Sequence, residues 1–356
     1  MISDPKALED LVGEISTFPR VAIDTEADSL HCYFEKVCLI QLSGGSGHWL
    51  VDPLANLDLQ PLLDAVCSRR LVFHGADYDL RLLRRIGNFE PVDLFDTMIA
   101  ARLAGKSALG LAALVKEYFG VELSKASQKA NWAIRPLPDV MLEYALNDTR
   151  YLLEIADRLS EDLHRLGRWD WFLESRDRMI ASAREVKERD DNTVWRISGS
   201  SILSPRAQAV LRVLWFWRDA EARAWDRPPF HVIGNSDMID VAKQVAAGGK
   251  FSAPRMNGRR KKSFEVVLAL ALQIPEAEWP RIEKVRRKKV SKEQIDRCEH
   301  LRKIRDRVAA DLGLESSIIA PRAALEATAA DPASNALMNW QRALLGLPEP
   351  AQPVAA

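Results

Sequence analysis

The residues of this chain best suited to chemistry are carboxylates. Asp24 and Glu26 follow the apolar run Val21-Ala22-Ile23 and occupy alternate positions. In a strand, residues two apart share a face, so the two acids would stand side by side. Like charges that close repel, and nothing in folding rewards it. A divalent cation resolves the conflict, because hard cations such as Mg2+ take carboxylate oxygens. The competing explanation is a strand that runs out into a polar loop. Two later stretches carry further acids. Asp77 and Asp79 follow Phe73-His74-Gly75-Ala76, where a helix start is predicted and where Asp serves equally as an N-cap or first-turn residue. Tyr144 and Asp148 are four apart on a predicted helix, one above the other on one face, a spacing that an ordinary surface contact also explains.

The elements that must position these residues follow from the hydrophobic pattern. Residues 5–17 read as an amphipathic helix with Leu8, Leu11, Val12 and Ile15 on one stripe. Strands are predicted at 21–25, 37–42, 48–51 and 71–74, with Gly44-Gly45-Ser46-Gly47 turning the second into the third as an antiparallel hairpin. A helix at 57–68 separates the third strand from the fourth, and after residue 76 the chain is mostly helical. Strands first and helices after them give an α/β domain over 1–180.

In that order, Asp24-x-Glu26, Asp79 and Tyr144-x3-Asp148 resemble the DEDDy exonuclease superfamily. Four further segments narrow the resemblance to the ribonuclease D family: Leu39-Ile40-Gln41-Leu42, Leu50-Val51-Asp52-Pro53-Leu54, Leu94-Phe95-Asp96-Thr97, read as opening a helix, and Trp132-x2-Arg135-Pro136-Leu137. The resemblance implies a ribonuclease H-like α/β exonuclease domain, a mixed sheet with flanking helices. It implies a 3′–5′ exoribonuclease that releases nucleoside 5′-monophosphates from the 3′ ends of tRNA precursors or other structured RNA. It also implies two divalent ions, Mg2+ or Mn2+, since hydrolysis puts charge on attacking and leaving oxygens that two cations about 4 Å apart can stabilise. Asp24 would bridge them, Glu26 and Asp148 would complete one site, Asp79 would act on the other through waters, and Tyr144 would orient the attacking water. No motif position is His or Cys, which disfavours zinc. Three substrate contacts are expected around this core. The Thr25 backbone N–H would meet the terminal 3′-OH, Leu30 would wedge against the terminal base, and His74 would stand at the mouth; a turn residue, a core leucine and a strand-end histidine are the plain alternatives. Lys125, Lys129 and Arg135 are candidates for phosphate pairing, against a solvated loop.

The second half reads as helical modules. Residues 181–203 are charged, then polar, and end in Ser198-Gly199-Ser200-Ser201, the composition of a linker. Ser204 and Pro205 are an N-cap and first-turn proline for a helix running through Leu211, Leu214, Trp215 and Trp217 to about Trp225. Arg227-Pro228-Pro229-Phe230 and helices at 236–246 and 263–271 follow. This pattern resembles an HRDC domain, placed at 204–280, in which Trp215, Phe216, Trp217 and Trp225 read as core. Helices at 292–312, 322–329 and 335–344 repeat it faintly, so 291–346 is expected to be a degenerate second HRDC-like domain and 347–356 a disordered tail. The alternatives to an exoribonuclease are a 3′–5′ DNA exonuclease of the same superfamily and a catalytically silent, HRDC-led nucleic-acid-binding protein. The intact acids and tyrosine speak against the silent form.

Bulk properties agree with such partners. The 356 residues carry 50 Lys+Arg and 50 Asp+Glu, but the balance is uneven. Through residue 180 there are 28 acids and 20 bases, a net of −8; from 254 to 292 there are 12 bases and 4 acids, a net of +8. The basic part, with Arg259-Arg260-Lys261-Lys262 and Arg286-Arg287-Lys288-Lys289, suits a polyanion. No apolar run approaches the roughly 18 residues of a membrane span. The start lacks a signal-peptide pattern, and Cys32, Cys38, Cys67 and Cys298 have no CxxC spacing, so a reducing, cytoplasmic setting is expected.

Overall fold

A computed structural model describes residues 1–185, 188–249, 256–280 and 290–348. Helix α1 (Pro5–Ile15) starts at Asp4, whose carboxylate accepts from the Ala7 N–H, and buries Leu8, Leu11 and Ile15. Strand β1 (Arg20–Ala27) leads into β2 (Val37–Gly44) and β3 (Gly47–Val51), joined as the predicted hairpin. Then come α2 (Gln60–Cys67), β4 (Arg70–Phe73), α3 (Asp77–Ile86), β5 (Asp93–Asp96) and α4 (Thr97–Ala104). Helices α5 (Leu111–Phe119), α6 (Asp139–Arg150), α7 (Leu152–Arg165) and α8 (Trp169–Arg184) complete the first part of the chain.

The five strands form one mixed sheet in the order β3-β2-β1-β4-β5. β1 and β2 pair antiparallel, as do β2 and β3, while β1–β4 and β4–β5 are parallel. β2 is buried along its whole length, as expected of an inner strand covered on both faces. The fifth strand departs from the sequence expectation, which read Leu94-Phe95-Asp96-Thr97 as a helix start. Both readings meet at Asp96: it ends the strand and its carboxylate caps α4 through the N–H groups of Met98 and Ile99. A four-residue strand next to a cap is too short for alternation to be visible.

The chain divides into two packing units, one of 1–27, 37–185 and 287–356, the other of 28–36 and 186–286. Three domain expectations change accordingly. Residues 28–36, assigned above to the exonuclease domain, belong to the second unit: Tyr33 donates to Asp219 at 2.9 Å, and Asp226 accepts from the N–H groups of Tyr33 and Phe34. The expected linker at 181–203 is partly built into that unit too, since Trp195 is fully buried in its core. The second unit otherwise contains α9 (Pro205–Trp225), capped by Ser204, with α10 (Asn235–Ala246) and α11 (Gly258–Leu272) around Leu211, Leu214, Trp217, Met238 and Phe264. Trp215 and Trp217 are core as read, whereas Trp225 is half-exposed beneath the Arg260 guanidinium, 4.4 Å from the ring centre.

The third change concerns the C-terminal stretch. Helices α12 (Lys292–Leu312), α13 (Ser316–Ile319), α14 (Arg322–Ala330) and α15 (Asn339–Leu344) are helical as expected, but they pack into the first unit instead of forming a body of their own. Leu301, Ile319, Leu325 and Trp340 share one core with Val72, Phe95, Leu114, Leu159 and Phe172. Trp171 of α8 stacks on Trp340 at 4.8 Å. Glu174 caps α15 by accepting from the N–H groups of Asn339 and Trp340, and the buried Arg168 ties the carbonyls of Leu103 and Leu312 together. Arg286-Arg287-Lys288-Lys289 and all but the first two residues of the 347–356 tail lie outside the described residues. Truncating Leu325 to Ala should therefore lower the unfolding free energy of the exonuclease unit by about 2–5 kcal/mol, as for a buried leucine in any single core. Urea denaturation measures this, and a loss below about 1 kcal/mol would show that these helices do not support the sheet.

Candidate active site

The pleat of β1 turns Asp24 and Glu26 to one side and Thr25 to the other. Asp148, from α6, completes a cluster in which one carboxylate oxygen of each residue lies within 4.8 Å of the others. All three remain partly accessible. The helix is fixed to the sheet by a small core of Cys38, Leu39, Leu50, Trp132, Leu137, Met141 and Ala145. Ser43 Oγ on β2 lies 2.7 Å from Thr149 Oγ1 on α6 and 2.8 Å from His48 Nδ1, which locks the helix one residue from Asp148.

Asp79 reaches the site from the first turn of α3. It is buried, and the Thr25 hydroxyl donates to it at 2.5 Å. The turn before α3 is set by Asp96, which accepts from the N–H groups of both Gly75 and Ala76 while capping α4. Gly75 has φ +84°, a conformation that side chains rarely adopt, and a Cβ there would meet Met98 at 3.0 Å. Asp77, the other acid of this stretch, pairs with Arg81 on its own helix and is not in the cluster.

Burial dominates the electrostatics of these acids. Burial raises Asp24 well above the usual carboxylate range, and the charges of Asp79, Asp148 and Glu26 add to it. Burial, with the Asp148 and Asp79 charges, pushes Glu26 up to about 9. Burial lifts Asp148 to about 7 against the opposing hydrogen bond from Tyr144, and lifts Asp79 to about 7 against that from Thr25. Among the described residues no lysine or arginine offsets these shifts. Burial and the Asp148, Glu26 and Asp24 charges raise Tyr144 above the usual phenol range, so it keeps its proton. Its ring lies 6.0 Å from that of Trp132, and it shares a cleft of about 270 Å3 with Asp148, Asn147, Arg150 and Tyr151. Crowded, partly accessible carboxylate oxygens are the donor set that hard divalent ions take.

The remaining candidates fare differently. His74 Nδ1 is 2.9 Å from Thr97 Oγ1, Nε2 is buried without a partner, and burial holds the imidazole below its usual pKa. Leu30 is half-exposed and belongs to the 28–36 segment of the second unit. Arg135 is committed elsewhere: its guanidinium pairs with Asp52 at 2.5 and 2.7 Å and donates to the Cys38 carbonyl, which holds the 132–137 segment on the sheet. That is a structural use, neither the phosphate contact nor the solvated loop weighed for this residue above. The side-chain role of Thr25 and the double role of Asp96 were missed; the Asp-Thr pair before an apolar helix was the one signal of a cap at 96.

Comparison with known proteins fits this geometry. Residues 1–164 match the family model described as 3′-5′ exonuclease, and residues 207–247 match that of the HRDC domain. Ribonuclease D of Xanthomonas oryzae pv. oryzae is 34% identical over 252 residues, 69% of this chain and 67% of that protein. The chain belongs to the ribonuclease D family. Ribonuclease D of Sphingobium indicum is 31% identical over 249 residues, 68% of this chain and 63% of that protein, so the match covers less than two thirds of that relative. The crystal structure of Escherichia coli RNase D, described as an exoribonuclease involved in structured RNA processing, superposes with a TM-score of 0.69 at 25% identity, covering 92% of this chain and 89% of that one.

The shifts in this ribonuclease D homologue give a testable pH dependence. Unfolded, these acids titrate near 4; folded, Asp79 and Asp148 hold their protons to about 7 and Glu26 to about 9. Between those limits the native state binds more protons than the unfolded one, so its stability falls as pH rises. In EDTA the melting temperature is expected to drop between about pH 5 and 9, less steeply in Asp24→Asn, and Mn2+ should restore it. Thermal scans across that range check this, and a cation-insensitive profile would contradict the site.

Proposed function

We propose that the chain is a metal-dependent 3′–5′ exoribonuclease that shortens structured RNA, tRNA precursors among them, by one nucleoside 5′-monophosphate at a time. The observation that carries this reading is the meeting of Asp24, Glu26 and Asp148 oxygens within 4.8 Å, with the Tyr144 hydroxyl hydrogen-bonded to Asp148. Asp24, Glu26 and Asp148, with Asp79 beside them, would hold two divalent cations, Mg2+ or Mn2+. When bound, such cations supply Lewis-acid stabilisation of the charge that develops on the attacking and leaving oxygens. Tyr144 is a neutral hydrogen-bonding group at working pH, and its hydroxyl orients the attacking water toward the terminal phosphodiester. Thr25 keeps Asp79 from turning away, and its backbone N–H faces the 3′-terminal ribose in this reading. Leu30 and His74 are retained as candidate contacts to the terminal nucleotide. The basic start of α11, with Lys261 and Lys262 exposed, supports a sequence-independent hold on the RNA backbone. An RNA substrate and four free cysteines suit the cytoplasm.

Incubation of 3′-end-labelled RNA and matched DNA with Mg2+, Mn2+ or EDTA tests polarity, sugar preference and cation need together. Release of labelled 5′-monophosphate from RNA in Mg2+ or Mn2+, and none in EDTA, is expected; faster loss from DNA would favour the DNA-exonuclease reading. Asp24→Asn and Asp148→Asn should abolish release while RNA binding persists. Tyr144→Phe should lower kcat by about 10² or more through misplaced water, with little change in KM. Full activity in the purified Asp24→Asn protein would overturn the assignment.

A further inference from the structure

Strand β2 presents three side chains in succession to α6. Leu39 joins the core of Trp132, Met141 and Ala145, and Ser43 is hydrogen-bonded to Thr149. Gln41 lies between them and, by strand alternation, on the same face. It is fully buried, and neither its Nε2 nor its Oε1 has a hydrogen-bond partner. Its partner across the antiparallel ladder is Asp24, as Leu39 is the partner of Glu26. Residues directly opposed in such a pair share a face, with Cβ atoms about 4.5–5.5 Å apart. The register therefore puts the Gln41 and Asp24 side chains on one face, as direct cross-strand neighbours.

For packing alone, glutamine is a poor choice here. An unpaired buried polar group carries a desolvation cost that an apolar residue of the same shape avoids. Leu39 shows that this face accepts an apolar side chain one ladder position away. Two of the neighbouring acids already have a dedicated side-chain donor. The Thr25 hydroxyl serves Asp79 and the Tyr144 hydroxyl serves Asp148. An amide has the particular merit of donating without positive charge. A lysine or arginine at this position would neutralise Asp24 and compete with any cation there.

We propose that Gln41 is a positioning residue for Asp24, its Nε2–H donating to the ionised carboxylate and holding it in the orientation that takes a cation. This rests on the reading that the acid cluster binds divalent ions. Carboxylates that ligate metals are themselves held by outer hydrogen-bond partners, and loss of such a partner weakens metal binding about 10- to 100-fold. Gln41→Met keeps the volume and removes both polar atoms, so positioning and packing predict opposite results. Positioning predicts a melting temperature in EDTA equal to or above that of the wild type, together with Mn2+ affinity, by calorimetric titration of the full chain with Mn2+ alone, lowered about tenfold or more. A purely structural glutamine predicts a lower melting temperature with Mn2+ affinity nearly unchanged. A loss of affinity smaller than tenfold in a folded Gln41→Met protein overturns the proposal. Should that variant fail to unfold cooperatively, Gln41→Asn, whose amide is withdrawn by one methylene, is read by the same tenfold criterion. Wild-type titration separates the two layers: no Mn2+ binding to the wild type removes the cation reading itself, whereas wild-type binding matched by Gln41→Met removes only the role of Gln41.

Discussion

Carboxylates held close together dominate this protein. Two unit charges 4.8 Å apart repel by roughly 3 kcal/mol at an effective dielectric of about 20. A single hydrogen bond contributes about 0.5–1.5 kcal/mol, so no one contact could keep a side chain in that company. The fold meets the repulsion by fixing each acid from several directions and by letting the acids keep protons. The raised pKa values of Glu26, Asp79 and Asp148 express that strain.

The supports are ordinary pieces of secondary-structure chemistry placed with care. Asp96 ends β5, caps α4 and holds the Gly75 turn from which α3 delivers Asp79. Two jobs on one carboxylate make the position of Asp79 depend on Asp96. On the other flank, the Asp52–Arg135 pair and buried Trp132 hold the segment that introduces α6, and Ser43 with Thr149 closes its far end. Asp148 and Tyr144 are thus carried on a helix anchored both before and after them.

The core beneath this arrangement draws on distant parts of the chain. Helices α12 to α15 share one hydrophobic cluster with β4, β5, α4 and α7, so the exonuclease unit depends on residues nearly 300 positions from its first strand. The HRDC unit has its own core around α9 to α11 and incorporates the 28–36 segment, which follows directly on the strand bearing Asp24 and Glu26. Chain order and physical unit diverge in both places because burial of apolar surface takes no account of sequence separation.

The sequence alone determined the types of the reactive groups, their order and most of the elements that bear them. The alternation of Asp24 and Glu26, the helical spacing of Tyr144 and Asp148 and the Ser204-Pro205 helix start are local rules, and local rules survive folding. Tertiary structure decided what depended on partners. It turned Arg135 from a candidate phosphate contact into the partner of Asp52, and it gave the Thr25 hydroxyl to Asp79. It made a strand of 93–96 by pairing it with β4, drew the C-terminal helices into the exonuclease core and assigned the 28–36 segment to the second unit. A residue's type and spacing limit what it can do; which neighbour it meets is fixed only when elements far apart in sequence bury their surfaces against each other.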